Sequence, residues 1–445
     1  VLIDQLATSK GIKPKIIAST ATIRRAKEQV KLLYNRSVSE FPPKGISYKD
    51  NYFSYEDSEK TGRTYIGFLG TALNSHTTAQ VRTISTILQA PCNEYNSDIE
   101  ETKSTEYKNI YNFKNETDFD RTHIDPYATI LWYFNSVREL GYAESLLYAD
   151  IDSHLKNLCF RHKIFYPAKR KIQEIRSLYS RASASEINEI RDELNNDYWK
   201  LNYDFDKKEK RAVDVCLATN MISVGVDISR LGLMAITGQP KNTAEYIQAS
   251  SRVGRKYPGI VLTIYNQQRS RDRSHFENFK SYHQALYRYV EPSSLTPFSK
   301  PVRNRALSGY IIGICRHLLN LKNPIDLNED KIANLNIILE EYLTRVKNYN
   351  KSYEKDSKEE INKIINTIKK YNNEMQNNKD DANWGQISKF DSLALTYTYG
   401  AHDSNKNNLS PNQLGMLPTM RDVDANSQAI IPRLIDDSKE DVTDG

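Results

Sequence analysis

The run Val213–Tyr265, VDVCLATNMISVGVDISRLGLMAITGQPKNTAEYIQASSRVGRKYPGIVLTIY, decides the fold. Val213, Val215 and Leu217 alternate with polar or small residues, and Leu233–Ile236 is a short apolar run, the pattern of buried strands in a mostly parallel sheet. A helix is expected from Thr243, whose hydroxyl is a natural cap. Near its end this helix would carry Gln248, Arg252 and Arg255 in a Q-x-x-x-R-x-x-R spacing, which sets them on neighbouring ridges.

Ala218-Thr219-Asn220 through Gly225-Val226-Asp227 resembles motif V of superfamily 2 helicases, and Gln248 through Arg255 resembles motif VI. The whole stretch Ala218–Arg255 is similar to the helicase subunits of DISARM antiphage systems. The resemblance implies an α/β, RecA-like helicase second lobe, a parallel sheet flanked by helices, with an inserted segment and a helical carboxy-terminal extension. It further implies that Gly225 and Asp227 meet the nucleotide, and that Thr219, Asn220 and Ser223 hold the nucleic-acid backbone. Arg252 and Arg255 would serve as arginine fingers, with Gln248 beside them. Ser251 stands where many members have Gly.

The case for the two arginines also has a physical basis. A phosphoryl-transfer transition state spreads charge over equatorial oxygens, and a planar, permanently charged guanidinium supplied from a second lobe stabilises it only on closure. The competing reading is a pair of surface salt bridges, the usual fate of arginine. For Asp227 the competing reading is a helix cap.

With 445 residues, 39% of them hydrophobic, the chain is long enough for two or three domains with cores. No apolar run approaches the roughly 18 residues that span a bilayer, so no membrane partner is expected. The four cysteines, Cys92, Cys159, Cys216 and Cys315, stand singly, without metal or disulfide spacing, which suggests a reducing cytoplasm. A net charge of +6 favours a polyanion without specifying one.

Read from its start, the chain offers four regions. Residues 1–44 read as the end of a first RecA-like lobe: Lys15 to Thr22 is expected as a strand, and Ser19-Thr20-Ala21-Thr22 resembles motif III, which couples the ATP site to the nucleic-acid path. The same hydroxyls suit capping of a helix Ile23–Tyr34. Residues 45–125 read as an insertion, with a strand at Thr64–Leu69, a helix at Asn74–Ala90 and an acidic loop from Asn93. Residues 126–290 read as the second lobe, opening on the strand Ala128–Phe134. That strand delivers Asn135 and Ser136 either to a sugar-phosphate backbone, as motif IV would, or to the cap of the next helix. Basic and aromatic residues interleave over Lys156–Lys171, a pattern that suits a single strand but also a solvated helix face. His275 has no partner spaced for chemistry. Residues 291–445 read as a helical extension with an amphipathic, protruding hairpin and an acidic tail.

No Walker A loop or acidic magnesium motif is found, so the chain reads as the carboxy-terminal part of a longer ATP-dependent DNA helicase or translocase, inactive by itself. ATP and Mg²⁺ would be the cofactors, their ligands expected in the first lobe, and no metal ligands are assigned here. DNA, that first lobe and a second defence-system subunit would be the partners. A non-hydrolysing nucleic-acid clamp and an RNA helicase are the alternatives.

Overall fold

Six parallel strands form the central sheet: β1 (Arg63–Leu69), β2 (Ile130–Phe134), β3 (Ile175–Leu178), β4 (Val215–Ala218), β5 (Leu233–Thr237) and β6 (Gly259–Tyr265), in the spatial order β1-β6-β5-β2-β4-β3. The structure is a computed structural model. It describes residues 1–12, 14–20, 22–43, 46–47, 50–55, 57, 62–73, 75–103, 124–162, 169–179, 184–195, 212–219, 228–292, 295–385, 393–398 and 412–416.

Both faces of the sheet are covered, and strand alternation sorts the side chains between them. Ile130, Trp132 and Phe134 of β2 pack with Ile84 and Leu88 of α1 (His76–Lys103) and Leu140 of α2 (Val137–Leu146). Leu131 and Tyr133 point the other way, toward Tyr246 and Ile247 of α3 (Thr243–Ser250) and toward Val253. Two buried ion pairs brace the frame. Arg170 donates to Asp214 at 2.9 Å and to the Ala128 carbonyl at 2.6 Å, while the second Asp214 oxygen accepts from the amides of Gln173 and Glu174. Arg230 donates to Asp125 at 2.9 Å and to the Thr129 hydroxyl at 2.8 Å. Within the basic and aromatic stretch, then, Arg170 is core scaffold and Lys169 and Lys156 both pair with Asp152, while 163–168 lie outside the described residues.

The chain divides into two units, one of residues 18–27 and 38–293, the other of 1–17, 28–37 and 294–445. This division differs from two of the expected regions. Within residues 45–125, expected as an insertion between lobes, β1 pairs along its whole length with β6 and is the sheet's edge strand. The helix after it continues through Pro91 to Lys103, into the stretch expected as a loop. Residues 1–17, expected at the end of a first lobe, group with the helical unit. Leu2 packs into the core of the helical unit, Gln5 bridges the Ile338 carbonyl and the Tyr310 hydroxyl, and Asp4 pairs with both Arg36 and Arg345.

That helical unit is built from α5 (Lys300–His317), α6 (Glu329–Tyr349) and α7 (Tyr353–Asn378). The expected hairpin exists but does not protrude as a bare pair. Ile361, Ile365, Ile368 and Tyr371 of α7 join Leu335 and Leu339 of α6 and Ile311 and Cys315 of α5 in one core. The tail from Leu417 lies outside the described residues. All four cysteines are buried free thiols. Among the described residues no helix is long and apolar enough to cross a membrane.

Candidate functional site

The segment bearing the two arginines is a loop, not the end of a helix. α3 stops at Ser250, with Ser251 as its C-cap, and Arg252–Tyr257 turn back toward β6. Gly254 forces this: its φ of +72° is left-handed, and a Cβ there would meet the Cα of Gly259 at 2.9 Å and the Cγ of Arg63 at 2.8 Å. The Q-x-x-x-R-x-x-R spacing therefore does not sit on one helical surface as expected. Ser251 fits with an ordinary φ of −70°, its hydroxyl donating to the Gln248 carbonyl at 2.9 Å, so no glycine is required there.

Because α3 runs antiparallel to the strands, this loop lies at the amino-terminal edge of the sheet. The Gly254 amide donates to the Leu231 carbonyl at 3.0 Å and the Lys256 amide to Ser229 at 3.4 Å. Arg63, at the start of β1, donates from Nε to the Val253 carbonyl at 2.7 Å and from Nη2 to the Ser251 carbonyl at 3.4 Å. This clamp was not foreseen from sequence, since nothing around Arg63 signals a partner some 190 positions away. Arg255 is exposed and Arg252 half-buried, and Arg255 Nε donates to the Ser251 carbonyl at 3.2 Å.

Gln248 faces the same edge and donates from Nε2 to the Thr22 hydroxyl at 2.8 Å, joining the S-T-A-T stretch to the arginine element. That stretch is not a strand. Ser19 and Thr20 are exposed, Ile17 is 84% exposed, and no strand pairs with residues 14–20 among the described residues, so the apolar pattern has no sheet to enter. Thr20 accepts from the Thr22 amide at 3.2 Å, a local turn, and the helix that follows begins only at Ala26, after Arg25 at positive φ. Ala21 lies outside the described residues.

Asn135, Ser136 and Thr219 lie at the opposite, carboxyl edge. β2 has β4 on one side and β5 on the other, so the order of connection reverses here, the place where open α/β sheets form a crevice. Asn135 follows β2 and donates from Nδ2 to the Thr237 carbonyl at 3.0 Å, tying the ends of two strands. Ser136 is the N-cap of α2, accepting from the Glu139 amide at 3.3 Å, so of its two expected readings the cap is the one its hydroxyl takes up. Thr219 is buried, its amide extending the pairing to the Leu178 carbonyl at 3.1 Å. Asn220, Ser223, Gly225 and Asp227 lie outside the described residues.

Two acidic residues missed by sequence reading shape this unit. Glu291 accepts from both the amide and the hydroxyl of Thr243, so α3 is capped from a distant residue and Thr243 does not cap it. Asp272 is buried and accepts from the amides of Gln239 at 3.1 Å and Asn266 at 2.8 Å, locking the loops after β5 and β6 together. Around them burial depresses the imidazoles of His76, His275 and His283 below the ordinary histidine value. His283 nonetheless holds the Tyr246 hydroxyl at 2.9 Å, and His275 lies edge-on to Tyr282.

Residues 156–257 match the model of the helicase conserved C-terminal domain. The chain is 37% identical over 353 residues to the DISARM protein DrmA of Bacillus paralicheniformis, an overlap of 78% of this chain and 29% of that relative. The chain thus spans under a third of the length of the curated relative it matches. Among solved structures it is similar to the DUF1998 helicase MrfA bound to DNA and AMPPNP, at 14% identity and a TM-score of 0.43 over 70% of this chain and 33% of that one. It is similar also to domain 2 of the DEAD-box helicase Mss116p bound to an RNA duplex, at 12% identity and a TM-score of 0.26 over 65% and 78%. At such scores the RecA-like assignment stands on the parallel sheet and the domain match.

Proposed function

We propose, from the premise that this chain carries a superfamily 2 helicase carboxy-terminal domain resembling DrmA, that it is the arginine-bearing lobe of an ATP-dependent DNA helicase or translocase in DISARM-type defence. The observation that carries this reading is the convergence of Thr22, Gln248 and the loop Arg252–Arg255 at one edge of the sheet, separate from the crevice at the other. A motor must couple a phosphate-sensing site to a nucleic-acid path, and one sheet with a site at each edge is a rigid means of doing so.

The arginine loop suits a polyphosphate. Its Ser251 and Val253 carbonyls both accept from Arg63, which offsets backbone acceptors that would otherwise repel an anion beside the guanidinium groups. Bound ATP with Mg²⁺ would supply the transferable phosphoryl group and its charge neutralisation. Arg252 and Arg255 hold permanent positive charge where a closing first lobe would present the γ-phosphate. Gln248 is a positioning residue that reports the state of Thr22. Gly225 and Asp227 are proposed for the ribose, and Thr219, Asn220 and Ser223 for the nucleic-acid backbone.

The test is an ATPase assay of the chain alone and together with an ATP-binding lobe, each with and without DNA. Negligible turnover alone and DNA-stimulated turnover together are expected. Robust hydrolysis by the chain alone contradicts the division of labour, and DNA binding without hydrolysis in the assembled protein favours the clamp.

A further inference from the structure

We propose that Arg269 is the phosphate-binding cation of the carboxyl edge, held by Glu139 until a nucleic-acid phosphate takes the carboxylate's place. This rests on the reading of that edge as the nucleic-acid path. Two of the described groups that sequence points to there are already engaged: the Asn135 amide by the Thr237 carbonyl, the Ser136 hydroxyl by the Glu139 amide. Arg269 supplies a charge that Asn135 and Ser136 lack. Its side chain is 50% exposed, and Nη2 donates to Glu139 Oε1 at 2.7 Å.

Several contacts fix where this guanidinium stands. Arg269 leads into α4 (Ser270–Glu277), its amide donating to the Asn266 carbonyl at 3.1 Å, and Asp272 ties that loop to the one after β5. At Gly238, with φ of +68°, the position of a Cβ lies 3.5 Å from both Arg269 Nη1 and Asn135 Nδ2 and 3.1 Å from Asp272 Oδ2. The absence of a side chain at Gly238 therefore lets the guanidinium and the carboxamide approach the crevice together. The hold on Arg269 is one-sided: Glu139 uses a single oxygen, and its Oε2 is buried with no hydrogen-bond partner among the described residues. A guanidinium held through one carboxylate oxygen at a half-exposed site exchanges readily for a phosphate that can accept two parallel N–H bonds.

The experiment is fluorescence anisotropy of the chain with a labelled oligothymidylate across a salt series. Arg269→Gln is expected to weaken binding and to flatten the slope of log affinity against log salt by about 0.7, one phosphate's worth on a single strand. Glu139→Gln, which releases the guanidinium, is expected to tighten binding, and the double variant should behave as Arg269→Gln does. Arg269→Lys, which keeps the charge, should keep the slope. An unchanged slope in Arg269→Gln while the parent chain binds overturns this assignment and leaves the reading of the edge intact. So does weakening by Glu139→Gln, which would make the pair a structural brace. Failure of the parent chain to bind at all overturns both.

Discussion

Gly254 and Gly259 meet backbone to backbone, each occupying the space where the other's Cβ would stand, with the aliphatic part of Arg63 closing the third side. Gly254→Ala should therefore both strain a left-handed φ and separate the loop from β6, at a cost of about 1–3 kcal/mol. A thermal melt is the check, and an unchanged midpoint would contradict the packing described. Arg63 is the natural companion test. Arg63→Gln keeps a polar side chain but loses the Nε and Nη2 bonds to the two loop carbonyls. In an assembled enzyme it should lower turnover more than DNA affinity, because it acts on the arginine edge alone, and equal losses in both would argue against separate edges.

At the scale of elements, α3 shows how much of the site can be read from sequence and where such reading stops. Its start near Thr243 and its buried face follow from local pattern. Its cap does not, because Glu291 reaches the helix from 48 positions away. Glu291→Ala should cost about 0.5–2 kcal/mol, the usual value of an N-cap, and a melt that does not move would show that another group takes over. The helix end was misplaced for a comparable reason. Arg252 and Arg255 keep helical spacing in the text, but Gly254 adopts a conformation that only tertiary contact with Gly259 reveals. β4 and β5 were legible because each is a short buried run with its own pattern, and β2 is apolar throughout because both its faces are covered. β1 was legible as a strand but not as the sheet's edge, since parallel pairing with a segment almost 200 residues later leaves no local trace. Lys15–Ala18 failed in the opposite direction: an apolar pattern without a neighbouring strand among the described residues is not a strand.

For the whole molecule, acid should weaken the sheet-bearing unit before any carboxylate titrates. His76, His275 and His283 all lie in that unit, and burial lowers each below its ordinary value of 6.5. A histidine depressed in the folded state binds its proton preferentially when unfolded, so this stability is present above about pH 6.5 and is lost as pH falls through the folded values. The melting midpoint should fall between pH 7.5 and 5.5, and a flat profile would contradict the burial of these rings. The central claim, however, concerns the separation of phosphate sensing at one edge from nucleic-acid binding at the other. Its most direct test is Arg255→Lys, made in the chain assembled with its ATP-binding lobe and assayed for DNA-stimulated ATP hydrolysis. Lysine keeps the charge and loses the planar fork, so turnover should drop by on the order of 10³ while ATP binding, DNA binding and the melt stay close to the parent. Near-normal hydrolysis by that variant, with its fold verified, would contradict the claim.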